Sequence, residues 1–250
     1  MWQPKYKNTD RIVNAAAKTE ALADVLTITS KITPKLRREN RILSIASSCA
    51  IEQNVLTLEQ VKAVIDGKPV LAPPKDIREV QNAFEAYEKM LAFNPYDIDD
   101  LEAAHRIMMK DLVGSPGNLR TGNIGVVRGD EVIHIAPKPD DVSGKLADLL
   151  LWTKKTSAHP LIKSSVFHYE FEFIHPFADG NGRMGRMWQT LILAKWKKIF
   201  AWLPVENIVK EHQAEYYKAI EDSNNAGSST PFIEFMLESI FETLQYYNKT

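Results

Sequence analysis

The sequence predicts an all-α fold interrupted by a single β-hairpin, and three observations carry that prediction. Apolar residues recur at three- and four-residue steps over most of the 250 residues. Pro or Gly punctuates the intervals between these segments. Only the stretch near residues 124–135 leaves the helical period for two short β-prone runs.

Taken in order, the candidate helices are 10–28, 35–53, 57–66, 76–93, 97–113, 140–155, 160–174, 182–199, 206–224 and 231–247. Thr57-Leu58-Glu59-Gln60 opens the third with an acceptor at the cap and a Gln at the third helical position. Thr230-Pro231 opens the last with Pro at the first helical position, where its missing N–H is not needed. Ile124-Gly125-Val126-Val127 and Val132-Ile133-His134-Ile135, with Arg128-Gly129-Asp130-Glu131 between them, form the hairpin signal over about 122–136. Ala136-Pro137-Lys138-Pro139 ends it, since Pro cannot donate to a ladder. A lone two-stranded hairpin is marginal in water, so it must lean on the helices or be held for a purpose. The loop Gly67–Pro74 separates an N-terminal helical portion, 1–74, from the remainder, 75–250.

The bulk composition excludes more than it assigns. The chain is 44% hydrophobic and 25% charged, with a net charge of −1. That balance gives no argument for nucleic-acid or membrane binding. The single cysteine, Cys49, rules out an internal disulfide and a cysteine-only metal site and fits a reducing compartment. No signal peptide is apparent in MWQPKYKNTDR, and no apolar run approaches a membrane span. The expectation is a cytoplasmic protein.

The chemistry concentrates in His175-Pro176-Phe177-Ala178-Asp179-Gly180-Asn181-Gly182-Arg183-Met184-Gly185-Arg186. The last seven residues contain G-x-G-x-x-G, but a dinucleotide fingerprint must leave a strand and enter a helix within a βαβ unit. Here a helical segment precedes, and strands nowhere alternate with helices. A P-loop is also excluded, since no Gly-Lys-Ser/Thr follows. His168, Glu172 and His175 fall at i, i+4 and i+7, a spacing that would suit zinc or iron on one face. Pro176 ends that helix near Ile174, however, so His175 turns away and the cluster is set aside. What remains is an anion site. Gly180, Asn181 and Gly182 permit tight backbone, and they run into a helix whose first N–H groups lack internal partners. Arg183 and Arg186 follow three apart and can fork onto phosphate oxygens. Asp179 can hold Mg²⁺ against a pyrophosphate. Imidazole titrates near neutrality, which suits His175 to accept a proton from a hydroxyl. Together these parts describe phosphoryl or nucleotidyl transfer to a hydroxyl.

These twelve residues resemble the signature of the Fic family, H-P-F-x-D/E-G-N-G-R-x-x-R, at every defined position. The resemblance extends either side. His168-Tyr169-Glu170-Phe171 with Ile174 resembles the family's approach to the motif. Gly117-Asn118-Leu119-Arg120 and the hairpin after it resemble its flap, and Tyr216-Tyr217, Asn224 and Thr230–Ile233 its nucleotide-side helices. Ser47–Asn54 resembles its inhibitory helix, placed at about 42–53. Ser48 and Glu52 match an inhibitory S/T-x-x-x-E pattern that ends in Gly or Asn; Gln53 departs at that last position.

The resemblance implies a Fic-type helical bundle with a β-hairpin flap, and an enzyme that moves AMP from ATP to a Ser, Thr or Tyr hydroxyl of a target protein. By position, His175 is the base and Asp179 binds Mg²⁺. Gly180, Asn181, Gly182, Arg183, Met184, Gly185 and Arg186 form the phosphate site, with Arg186 on the γ-phosphate. Glu131, Val132, Ile133 and His134 lie on the flap near nucleotide and target, which the flap's edge would hold by strand addition. Tyr217 and Asn224 flank the nucleoside. Ser48 and Glu52 are regulatory, with Glu52 pairing with Arg186 to hold the enzyme off. The winged-helix DNA-binding module that some relatives carry is not expected, and a homodimer is compatible with the pattern. Two other readings use the same residues: removal of AMP from a protein, with Glu52 positioning water, and a catalytically quiet interaction domain.

Overall fold

The computed structural model describes residues 2–29, 33–128 and 131–249. Eleven α-helices are present among them: α1 (Asp10–Ile28), α2 (Pro34–Ile51), α3 (Leu58–Ile65), α4 (Pro74–Lys89), α5 (Ile98–Met108), α6 (Pro139–Lys155), α7 (Pro160–Ile174), α8 (Asn181–Trp196), α9 (Val205–Glu211), α10 (Gln213–Ala226) and α11 (Thr230–Lys249). The fold is therefore helical. Outside the helices, β1 (Gly125–Arg128) pairs antiparallel with β2 (Glu131–Ile135), with an irregular step between Val126 and Val127. Gly129 and Asp130, expected in the turn, lie outside the described residues.

Local rules set many of the helix starts. Thr9, Thr33 and Thr57 each cap a helix through the side-chain oxygen, and Thr57 and Gln60 close a capping box. Pro occupies the first turn of α2, α4, α6 and α7. Centrally, α7 lies against α8. Arg183–Ala194 of α8 is buried throughout, as befits a helix enclosed on all sides. Around this pair, α1 packs on α11, and α2 packs on α9, α4 and α8. One apolar core runs continuously from Ile12 in α1 to Tyr247 in α11, so residues before 74 share it with those after. None of the described helices is long and apolar enough to cross a membrane.

Five expected helices have different bounds. The segment 97–113 ends at Met108, where Met109 leaves helical geometry (φ −112°, ψ 14°), and 76–93 starts at Pro74 and passes after Lys89 into a 3₁₀ turn, Met90–Ala92. The segment 206–224 is two helices, α9 and α10, because the backbone at His212 leaves helical geometry (φ −106°, ψ 39°) while the apolar period continues through it. The segment 182–199 ends as α-helix at Trp196 and continues as a 3₁₀ turn over Lys198–Trp202. The segment 35–53 ends at Ile51, where Glu52 is the cap residue and Gln53 turns left-handed at φ 67°. Ser48 and Glu52 therefore do not share an unbroken helical face.

Candidate active site

The site is a turn between two buried helices. His175 ends α7 in left-handed backbone (φ 50°, ψ 61°), and its N–H donates to Phe171 O at 2.9 Å. Such a conformation is disfavoured for a residue with a Cβ and turns the imidazole off the α7 face. The ring Nδ1 lies 3.3 Å from the carbonyl oxygen of Glu172. A carbonyl only accepts, so Nδ1 carries the proton and Nε2 the lone pair in the neutral ring.

Residues 176–180 are clamped by side chains. Asn181 closes the loop on itself: its Oδ1 accepts from Phe177 N–H and its Nδ2 donates to Phe177 O, both at 2.9 Å. Phe177 is fully buried and stacks on His105 with ring centroids 3.7 Å apart. The Nδ1 of His105 accepts from Gly117 N–H at 2.8 Å, so its Nε2–H donates to Asp179 O at 3.0 Å. Burial pushes the His105 pKa down to about 4 and keeps the ring neutral. Nothing local in the sequence marked His105, since it acts across 74 residues.

Gly180 caps α8 in left-handed backbone (φ 83°, ψ 6°), and no side chain caps that terminus. The first intrahelical bond there is Met184 N–H to Gly180 O. The N–H groups of the first turn therefore keep their unpaired, partly positive character. A Cβ at Gly180 would meet Met109 Sδ at 2.5 Å, and one at Gly182 would collide with the Glu52 carboxylate. Met184 is fully buried, and a Cβ on Gly185 would lie 2.9 Å from both Glu172 Oε1 and His168 Cδ2. These two expected nucleotide contacts thus face the core and α7.

Both motif arginines are buried and both meet acids. Arg186 Nη2 donates to Glu52 Oε1 at 2.7 Å and to Ser48 O at 3.0 Å, while Nε donates to Ser48 Oγ at 3.1 Å. Desolvation pulls the Arg186 pKa down, but the Glu52 carboxylate outweighs it and the net shift is upward. Arg183 lies 3.3 Å from Asp179 Oδ1 and 3.4 Å from Glu79 Oε1. Glu79 also accepts from Asn54 Nδ2 at 2.9 Å, just beyond the end of α2. Arg183 Nε and Nη1 are buried yet have no hydrogen-bond partner.

Tyr217 and Asn224 lie on α10, and β2, with Glu131, Val132, Ile133 and His134, runs beside that helix. Tyr217 Oη donates to Ile51 O at 3.3 Å, and Asn224 Oδ1 accepts from Tyr169 Oη at 2.9 Å. His168 has no ring nitrogen available for a metal: Nδ1–H donates to Gln189 Oε1 at 2.6 Å, and Nε2 accepts from Tyr216 Oη at 3.1 Å. Burial pushes its pKa down to about 3. Neighbouring Glu172 is pushed up to about 8, mainly by burial. Among the described residues no group of three His, Cys, Asp or Glu side chains could hold a metal ion.

Comparison with known proteins matches residues 95–193, from α5 through most of α8, to the Fic/DOC family model. The crystal structure of a Fic family protein from Desulfovibrio desulfuricans G20 superposes with a TM-score of 0.96 and 48% identity, covering 99% of this chain and 77% of that one. This chain belongs to the Fic/DOC family. Among curated relatives, the protein adenylyltransferase fic-1 of Caenorhabditis elegans is 29% identical over 228 residues, covering 85% of this chain and 42% of that protein. The protein adenylyltransferase Fic of Nematostella vectensis is 28% identical over 214 residues, covering 80% and 47%. This Fic/DOC chain thus spans less than half the length of those curated relatives. A Fic-1 fragment from C. elegans shares the fold at a TM-score of 0.78 and 22% identity, covering 95% of this chain and 72% of that one.

Proposed function

We propose that this chain is a protein adenylyltransferase that moves AMP from ATP to a hydroxyl side chain of a target protein. The observation that carries the reading is the uncapped N-terminus of α8, flanked by Arg183, whose buried Nε and Nη1 make no hydrogen bond and whose Nη1 faces Glu79 at 3.4 Å. Backbone N–H groups, the helix dipole and a planar guanidinium converge there, which is the chemistry of a polyphosphate site. His175 stands five residues before that nest, with Nε2 as its basic atom. The target hydroxyl oxygen attacks the α-phosphorus, and its proton passes to His175 Nε2. The bond between the α-phosphorus and the bridging oxygen breaks, and pyrophosphate leaves. Gly180, Asn181 and Gly182 supply backbone to the phosphates, Arg183 its guanidinium, and Arg186 the γ-phosphate contact. Tyr217 and Asn224 take the nucleoside, while the β1–β2 pair serves as the flap that orders the target segment.

The donor set at Asp179 fits a nucleotide-borne Mg²⁺. The side chain is 52% exposed, and its Oδ1 is held by Gly180 N–H and Arg183. One carboxylate completed by phosphate oxygens and water is the usual Mg²⁺ arrangement. There the ion would neutralise phosphate charge and favour departure of pyrophosphate.

Residues 1–74 form the regulatory portion and 75–250 the catalytic core. Glu52, on the γ-phosphate arginine, holds the enzyme in an inhibited state. A second reading follows from the carboxylate beside Gly182: Glu52 also stands where it would orient water for removal of AMP from a modified protein.

The test is incubation of the Glu52→Gly chain with a protein lysate and ATP labelled at either the α- or the γ-phosphate. Label retained on protein from the α-position alone supports AMP transfer. Retention from the γ-position would make the chain a kinase, and retention from neither would remove the proposal. Release of AMP from a pre-modified protein without ATP would establish the second reading.

A further inference from the structure

Arg120 has no place in the chemistry above, yet its side chain is among the most heavily bonded in the protein. It is 6% exposed, and its partners are backbone carbonyls. Nε donates to His175 O at 2.7 Å, and Nη2 donates to Pro137 O at 2.6 Å and Ile174 O at 3.2 Å. Nη1 donates to Gly122 O at 2.8 Å, and the backbone N–H of Arg120 donates to Pro176 O at 2.9 Å. One residue therefore holds three consecutive carbonyls of the catalytic turn, 174–176. It also holds two carbonyls at the foot of the strand pair, Gly122 before β1 and Pro137 after β2.

The arrangement answers two local needs. The last carbonyls of α7 have no intrahelical donor, and a cation at a helix C-terminus is favoured by the dipole. The left-handed backbone at His175 is one that persists only where its surroundings over-determine it. A guanidinium meets both needs with a planar set of donors; a lysine ammonium, a compact point charge, cannot span the same four carbonyls.

We propose that Arg120 is the positioning residue of the catalytic turn, joining the backbone of His175 to the foot of the β1–β2 pair so that base and flap move as one body. The activity arm of its test rests on the reading of His175 as the base and of β1–β2 as the flap; the structural arm does not. A merely structural arginine would lower the folded fraction without altering the folded enzyme's properties. A positioning arginine changes the turnover number of the folded enzyme and leaves nucleotide affinity nearly intact, because the phosphate site on α8 makes none of these bonds.

The experiment places Arg120→Lys and Arg120→Ala in the full chain carrying Glu52→Gly. NMR follows the His175 ring, assigned by its loss in His175→Gln, together with the amides of Gly125 and Ala136. Steady-state transfer gives kcat and the KM for ATP. Both variants should shift the His175 ring and the Gly125 amide together. Displacement of a reacting group by about 1 Å is worth on the order of a hundredfold, so kcat should fall at least about tenfold while the KM for ATP stays within about threefold. Guanidinium ion at a non-denaturing concentration should restore part of the Arg120→Ala rate, and ammonium should not. Unmoved His175 resonances overturn the proposal, as does a His175 shift without a Gly125 shift or full turnover in Arg120→Lys. If Arg120→Ala fails to fold, Arg120→Lys carries both readouts. If the Glu52→Gly parent transfers no AMP, the functional reading fails and the NMR comparison still decides the positioning role.

Discussion

Replacing Glu52 by Gly should raise the proposed AMP transfer, and the structure sets how far. The 2.7 Å contact with Arg186 joins a guanidinium 2% exposed to a carboxylate 33% exposed. Breaking a fully buried pair costs about 3–5 kcal/mol, but a hydrogen bond to a charged group is worth about 1.5–3 kcal/mol where solvent reaches one partner. The lower range applies here, because Arg186 keeps two bonds to Ser48 after Glu52 is gone. If Arg186 must leave Glu52 before it meets a γ-phosphate, the pair's free energy sets the competent fraction. A gap of about 1.5–3 kcal/mol then corresponds to roughly ten- to a hundred-and-fifty-fold in rate. The assay is the initial rate of AMP incorporation from α-labelled ATP, with folding checked by circular dichroism. The double variant Glu52→Gly with Arg186→Ala should lose most of the gain. A folded Glu52→Gly protein whose rate lies within about twofold of the parent would refute the reasoning, since roughly 0.4 kcal/mol is less than any charged hydrogen bond of this kind.

Two other substitution and pH effects follow from backbone and burial. Gln53 holds φ 67° at an exposed position, and Gly or Asn adopts that conformation with less strain. Gln53→Gly should therefore stabilise the chain by about 0.5–1 kcal/mol in urea denaturation and lower basal transfer; a loss of stability would contradict the strain. Stability should also peak near pH 6.5. His168 and His105, held down to about 3 and about 4, bind protons in the unfolded chain first, so stability falls as pH drops below 6.5. Glu172, held up to about 8, keeps a proton that the unfolded chain has released by 4.5, so stability falls as pH rises toward 8. Below 6.5 the two histidines outweigh the carboxyl, and above it the carboxyl increasingly outweighs them. Each side should lose roughly 1 kcal/mol within about 1.5 pH units, somewhat more on the acid side, with His168→Gln flattening that side. A profile flat from pH 5 to 8 would show that these groups are not buried as described.

The helical class was legible because apolar period, threonine caps and proline at first turns are local signals, and α1, α3, α7 and α11 follow them closely. The same local logic marked Gly180–Arg183 as a helix start able to hold an anion. What the chain hides is long-range. Glu79 meets Arg183 across 104 residues, and His105 and Arg120 reach the catalytic turn from α5 and the loop after it. No spacing rule connects such pairs: Glu79 and His105 look like ordinary polar members of helices, and Arg120 stood in the flap-like stretch with nothing to tie it to the turn. The division of α9 from α10 was invisible for another reason: apolar period reports which face is buried and stays silent about a one-residue break at His212. Gln53 marks the intermediate case. Its departure from the expected Gly or Asn was readable, but only its left-handed backbone gives the departure a physical consequence.

The central claim is that His175 takes the proton of a protein hydroxyl while other residues hold ATP. The direct measurement compares Glu52→Gly with Glu52→Gly/His175→Ala, determining ATP affinity by calorimetry and AMP transfer by α-label on the same preparations. Loss of a positioned general base lowers a rate by roughly 10²–10⁴-fold, so the double variant should lose transfer on that scale while its ATP dissociation constant stays within about threefold. Equal transfer by the two proteins would contradict the account.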